Sequence, residues 1–182
     1  MSAKRVAILG STGSIGVNAL NVIREMPDDL RVVALAAHSN SKLVAEQARE
    51  FGAKSVSMFD VAAAADLKSR LNGGAKHHPS GVEGLCELAA HPDVDVVLTS
   101  VVGGVGFAPL LAAIRAGKTV ALANKEPMVM AGAQFMPDSG CPWPTKCFSV
   151  ASIWRLSRKL RLPWKPRTAA IPNRETRYGS SP

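Results

Sequence analysis

The chain has 182 residues, of which 47% are hydrophobic and 20% charged, a length and balance that fit one globular domain of ordinary size with room for a tail. No run approaches the roughly 20 apolar residues of a membrane span, the N-terminus lacks the cleavage pattern of a secretory leader, and Cys86, Cys141 and Cys147 have no metal-site spacing, so the expectation is a cytoplasmic protein with no membrane partner. The net charge of +8 suggests nucleic acid only until it is located: residues 137–182 hold nine Lys or Arg against two Asp or Glu, and residues 1–136 hold thirteen against twelve. The main body is nearly neutral and the basicity lies in the last 46 residues, so no nucleic-acid partner is expected.

In chain order, "RVAILG" predicts a short buried strand ending in glycine. "SIGVNALNVIREM" predicts a helix with Ile15, Ala19, Leu20, Val22 and Ile23 as its apolar face. After the break at "PDD", "LRVVALAA" is a second strand and "SKLVAEQAREF" a second helix. "KSVSMF" is a weaker strand, "AAAADLKSRL" a helix, "GGAKHHPSG" a polar loop and "VEGLCELAA" a short helix. "DVDVVLTSVV" is a strongly apolar strand, "FAPLLAAIRAG" a helix with Pro109 near its start and Gly117 at its close, and "KTVALA" a last strand. Strands alternating with helices predict an α/β fold: a Rossmann-like, doubly wound parallel sheet with right-handed crossovers and helices on both faces. Residues 1–136 are expected to form this unit, and residues 137–182 an irregular basic tail, rich in Pro, Trp and Arg and poorly ordered, with no element assigned.

The loop "GSTGSIG", Gly10 to Gly16, joins the first strand to the first helix, the setting of a dinucleotide-binding loop. Its spacing is G-x-x-G-x-x-G, but the physics is the same. Glycine permits positive φ and lets the backbone approach a phosphate, and the free N–H groups of the helix start attract an anion. Thr12, Ser14 and Ser11 add hydroxyls. The competing reading is a tight turn with no ligand. At the end of the second strand an NAD site usually places a carboxylate for the ribose 2′-OH. Here "AAHSN" offers Ser39 and Asn40, with Lys42 nearby, so a 2′-phosphate meets donors and no repulsion. That favours NADPH. His38, taken alone, reads as a solvated loop residue.

Two more loops follow strands. Gly103, Gly104 and Gly106 in "SVVGGVGF" either pass beneath a cofactor or simply turn the chain. Asn124, Lys125 and Glu126 in "LANKEP" are a polar cluster after a buried run, which points to function or to an exposed Lys–Glu pair.

Together, "ILGSTGSIG", "VVALAAHSN", "DVDVVLTSVVGGVGF" and "LLAAIRAGKTVALANKEPMVMAG" resemble the 1-deoxy-D-xylulose 5-phosphate reductoisomerase family over about residues 4–136. The resemblance implies NADPH-dependent rearrangement and reduction of 1-deoxy-D-xylulose 5-phosphate to 2-C-methyl-D-erythritol 4-phosphate, in the non-mevalonate route to isoprenoids. It also implies a divalent cation, Mg²⁺ or Mn²⁺, a phosphorylated sugar as substrate and a homodimer. By motif match Gly10, Thr12, Gly13, Ser14, Ile15 and Gly16 belong to the NADPH phosphate site. Ser39 and Asn40 belong to the 2′-phosphate, Asn124 and Glu126 to the cofactor side, and Lys125 to the substrate. The family often has glycine and lysine where this chain has His38 and Ser39.

From Pro137 onward the family pattern stops. Asp138-Ser139 echoes the family's metal-binding Asp-Ser-Glu, but it follows Glu126 by only twelve residues and has Gly140 where the glutamate belongs. No metal role is carried to it, and no catalytic residue is assigned. The tail holds all three tryptophans and seven of twelve prolines. Its composition fits a frameshift product or an alternative end of a truncated gene better than a basic functional extension, and Arg155, Arg158, Lys159 and Arg161 with Trp154 and Trp164 show no folded face for nucleic acid. The chain is expected to carry the cofactor-binding part of the family and no activity alone; the alternative is an NADP(H)-binding module or sensor without catalysis.

Overall fold

The computed structural model describes residues 2–123 and the short strand at 147–149. In order, the elements are β1 (Lys4–Leu9), α1 (Ser14–Glu25), β2 (Leu30–Ala37), α2 (Ser41–Phe51), β3 (Ser55–Met58), α3 (Val61–Leu71), β4 (Lys76–His77), α4 (Gly81–Ala90), β5 (Val96–Thr99), α5 (Phe107–Arg115), β6 (Thr119–Leu122) and β7 (Cys147–Ser149). One 3-10 turn, Gly104–Gly106, leads into α5.

All seven strands run parallel in the order β4-β3-β2-β1-β5-β6-β7. The chain winds outward from β1 in one direction and then, from β5, in the other. That reversal is the topological switch point at which open α/β sheets bind ligands, beyond the carboxyl ends of the strands. Alternation along the strands divides the core into two layers. Val6 and Ile8 of β1 and Leu35 of β2 pack with Leu20, Val44 and Leu67 of α1, α2 and α3. Ala7 and Leu9, with Val97 and Val120, face Leu85, Leu88, Leu110 and Ile114 of α4 and α5. Between Val6 and Ala7 the register against β2 skips Val33, so Val33 and Ala34 lie on the same side of the sheet, as at a β-bulge.

Helix ends follow their sequence signals. Asn40 caps α2 by accepting from the Leu43 N–H, and Gly52 closes it at φ 63°. Asp60 caps α3 in the same manner, at 2.7 Å from the Ala63 nitrogen. Gly117 follows α5 at φ 68°, and Pro109 sits in its first turn, where its missing N–H costs nothing. At the amino edge of the sheet, Arg5 makes two side-chain bonds to Asp95 (Nε–Oδ2 3.1 Å, Nη2–Oδ1 3.0 Å) while its own backbone N–H donates to the same carboxylate. These bonds hold the Asp95 carboxyl down to about 2.

Two sequence expectations need correction. The stretch expected to be only a polar loop contains β4, where Lys76 and His77 pair with Ser55 and Val56. The apolar face expected for α1 included Ile15 and Val22, yet both are exposed. The helix turns Gly16, Leu20 and Ile23 inward instead, because a glycine face lets α1 lie directly on the loop that precedes it. One element lies where none was placed: β7 pairs with Val120–Leu122 of β6 and extends the sheet with residues from the basic segment. No helix among the described residues is long and apolar enough to cross a membrane.

Candidate functional site

The glycine loop leaves β1 beside the switch point. The Gly10 and Ser11 N–H groups both donate to the Ala36 carbonyl of β2, at 2.8 and 2.9 Å, which forces a sharp turn. Gly10 makes it at φ 92°, a value that favours glycine. Gly16 is required for a different reason. A Cβ there would stand 2.3 Å from the Gly10 oxygen and 2.6 Å from the Ser11 Cα, so the helix and loop backbones touch. Gly13 meets neither constraint. Its backbone is extended (φ −76°, ψ 165°), and a Cβ would find only the Gly10 oxygen, at an ordinary 3.5 Å. Among the described residues no other atom, its chain neighbours aside, comes within 4 Å of that position.

Gly13 is also the N-cap of α1 and supplies no side chain to the helix start, and the first turn carries no acidic residue. The first intrahelical bond is Val17 N–H to the Gly13 carbonyl, at 2.9 Å, leaving the N–H groups of Ser14, Ile15 and Gly16 without a helical acceptor. Gly13, Ser14 and Ile15 are exposed and Thr12 half-buried. Free donors, the positive end of a twelve-residue helix and no competing carboxylate suit an anion. Beneath them, the Ser11 hydroxyl is fully buried and has no hydrogen-bond partner among the described residues.

The ends of β2 and β5 lie beside this loop. His38, Ser39 and Asn40 are exposed. Asn40 uses its side-chain oxygen on the helix cap, which leaves its amide N–H groups to donate outward. The His38 imidazole stacks on Phe59 at 5.2 Å and 23° between planes. After β5, the Ser100 hydroxyl donates toward the Leu9 and Gly10 carbonyls at 2.8 and 3.1 Å. Gly103, at φ 77°, turns the chain outward past Val102, which is 80% exposed. Asn124, Lys125 and Glu126 lie outside the described residues, as does the segment with Asp138.

Three participants were missed in the sequence. Ser100 bridges β5 to the glycine loop. Gln47, buried in α2, donates to the Ser11 carbonyl at 3.1 Å. Asp66 of α3 accepts from the Ser41 hydroxyl at the start of α2 and from Arg70, whose Nε lies 2.6 Å away. Arg70 first and Ser41 second hold the Asp66 carboxyl below its usual range. The sequence had one usable signal, the i,i+4 spacing of Asp66 and Arg70; contacts between distant segments leave none. Among the described residues no three His, Cys, Asp or Glu side chains are grouped to hold a metal ion.

Residues 6–132 match the family model for 1-deoxy-D-xylulose 5-phosphate reductoisomerase. The enzyme of that name from Symbiobacterium thermophilum is 52% identical over 133 residues, covering 71% of this chain and 34% of the relative. That of Trichlorobacter lovleyi is 47% identical over 133 residues, covering 73% and 34%. The solved Zymomonas mobilis reductoisomerase in complex with NADPH superposes with a TM-score of 0.68 at 39% identity, over 73% of this chain and 35% of that one. A reductoisomerase structure with NADPH, fosmidomycin and magnesium gives 0.67 at 37% identity, over 70% and 32%. The chain thus spans about a third of the length of the relatives it matches.

Proposed function

The chain belongs to the 1-deoxy-D-xylulose 5-phosphate reductoisomerase family, and from that premise we propose that it binds NADPH at the carboxyl edge of its sheet, as the cofactor-binding part of the family. The observation that carries this reading is the division of labour among the three loop glycines. Gly10 makes the turn and Gly16 lets α1 approach. Gly13, the N-cap of α1, is needed for neither and leaves the helix start without a side chain. A loop that only turned the chain would need the first two and not the third.

In this assignment Gly10, Thr12, Gly13, Ser14, Ile15 and Gly16 form the pyrophosphate cradle, with N–H groups and hydroxyls as donors. Ser39 and the Asn40 amide take the 2′-phosphate. Asn124 and Glu126 belong to the cofactor side and Lys125 to a phosphorylated sugar. NADPH supplies a hydride when bound; what these residues do is bind it, orient it and set its preference over NADH. The family reaction, its Mg²⁺ or Mn²⁺, a homodimer and a cytoplasmic location are parts of the same proposal. Residues 1–136 are its cofactor unit, with β7 added from beyond that boundary. A second reading, an NADP(H)-binding module without chemistry, is supported by the sequence after Glu126, whose only carboxylate side chains are Asp138 and Glu175. Fluorescence titration of the purified chain with NADPH and NADH tests the core of the proposal. The expected outcome is tighter binding of NADPH, and equal affinity overturns the 2′-phosphate assignment.

A further inference from the structure

We infer that His38, seated on Phe59, is the stacking platform for the adenine ring of the cofactor and a determinant of affinity for its adenosine end. The inference rests on the NADPH reading above and assigns to that site a residue it does not use. His38 and Phe59 follow adjacent strands at the carboxyl edge, one residue after Ala37 of β2 and one after Met58 of β3. Their rings lie nearly parallel, 5.2 Å apart. The lower ring, Phe59, is half-buried against the core layer of α4 and α5. The upper ring is exposed, so one imidazole face is covered and the other is open to a ligand.

The pair is fixed before any ligand arrives. Phe59 N–H donates to the Ala37 carbonyl at 2.9 Å, and Asp60 N–H to the His38 carbonyl at 3.0 Å. The Asp60 carboxylate is occupied in capping α3. Both ring-bearing backbones are therefore locked in register, and little conformational freedom is lost on binding. A flat, partly apolar surface of this kind suits a nucleobase, since every base has a π face to stack. Its position suits adenine in particular. With the pyrophosphate on the start of α1, the adenosine half of a dinucleotide extends over the end of β2. Ser39 and Asn40, one and two residues on, would then meet the 2′-phosphate while His38 carries the base.

The test separates stacking from a phosphate contact and from a structural role. The 182-residue chain, His38→Ala, His38→Tyr and Phe59→Leu are titrated with NADPH, NADH, adenosine 2′,5′-bisphosphate and nicotinamide mononucleotide, and their thermal midpoints are recorded. Loss of one base–aromatic stack should weaken NADPH, NADH and the bisphosphate about tenfold in His38→Ala. The NADPH-to-NADH ratio, the mononucleotide and the midpoint should not move. His38→Tyr should restore most of the affinity, and Phe59→Leu should lose part of it. Unchanged NADPH affinity in His38→Ala overturns the platform, as does a loss confined to NADPH or one that Tyr fails to restore. If the unsubstituted chain binds no NADPH, the cofactor reading itself falls and takes the platform with it.

Discussion

Replacing Gly13 by valine separates ligand chemistry from folding at the one glycine of the Gly10–Gly16 loop that the turn and the helix packing do not need. The Gly13 backbone is extended (φ −76°, ψ 165°), which suits a β-branched residue. The added Cβ stands 3.5 Å from its nearest neighbour, an ordinary contact. Reduced freedom of the unfolded chain stabilises by about 0.4–1 kcal/mol, and loss of a glycine N-cap to a poor capping residue costs roughly the same. The terms nearly cancel, so the melting temperature should stay within about 2 °C, given about 2–4 °C per kcal/mol for a chain of this size. Binding should respond differently. The side chain would occupy the space before the N–H groups of Ser14 and Ile15. Losing two hydrogen bonds to a charged phosphate at about 1.5–3 kcal/mol each weakens NADPH at least a hundredfold, at 1.4 kcal/mol per factor of ten. Gly16→Ala should show the opposite pattern. Its Cβ meets backbone at 2.3 Å, an overpacking of about 1–3 kcal/mol against a helix-propensity gain of about 1, and the midpoint should fall by several degrees. Differential scanning fluorimetry and fluorescence titration of both variants read the two effects. A Gly13→Val protein that melts as early as Gly16→Ala, or that binds NADPH like the unsubstituted chain, would refute the reasoning.

Arg70→Ala should leave the Asp66 carboxylate unneutralised beside the start of α2 and weaken NADPH by about two- to fivefold at low salt, with NADH little affected and the difference shrinking as salt is added; a salt-independent loss of both cofactors would contradict this. Acid should destabilise the chain in two stages. His77 and His91 are held below the ordinary imidazole value chiefly by burial, so the unfolded chain binds more protons and the urea midpoint should fall as pH drops through about 6.5. Asp95, at about 2 when folded against an ordinary 3.8, contributes stability above its unfolded value that is lost as pH falls from 3.8 toward 2; a urea midpoint that stays flat from pH 7.5 to 5 would rule out the first stage. The 182-residue polypeptide should not consume NADPH in response to 1-deoxy-D-xylulose 5-phosphate at any Mg²⁺ or Mn²⁺ concentration, because a hard cation needs fixed oxygen ligands and the carboxylates after Glu126 are 37 positions apart; metal-dependent loss of absorbance at 340 nm (the wavelength at which reduced nicotinamide absorbs), beside a longer family member as control, would show the opposite.

The sequence is most legible where apolar runs meet chemical stops. β2 and α2 fall on "LRVVALAA" and "SKLVAEQAREF" without a residue's difference, since a buried strand ends at a helix cap and the helix ends at a left-handed glycine. β4 escaped because a two-residue edge strand of Lys and His has neither length nor alternation. β7 escaped because three residues in an aperiodic stretch carry no pattern at all. The face of α1 departs from the hydrophobic pattern at Ile15 and Val22 because periodicity counts side chains, whereas this helix approaches the loop through Gly16, which has none. In the site, the glycines and the β2 end were readable as local strings. Ser100, Gln47 and Asp66 were not, because each acts on a segment 25 or more residues away.

The Gln47 bond to the Ser11 carbonyl has a consequence for cofactor redesign. Gln47 lies one and a half to two turns into the helix that Asn40 caps, and it grips the loop proposed here to hold the pyrophosphate. The two loops proposed to recognise the dinucleotide are therefore mounted on a common beam. An attempt to switch preference toward NADH by editing residues 38–42 will tilt or shift that beam if it disturbs the cap. The error will appear at the pyrophosphate, as lost affinity for both cofactors rather than as changed preference. Substitutions that keep Asn40 and Gln47 while altering Ser39 and Lys42 confine the change to the end of the molecule where it is wanted.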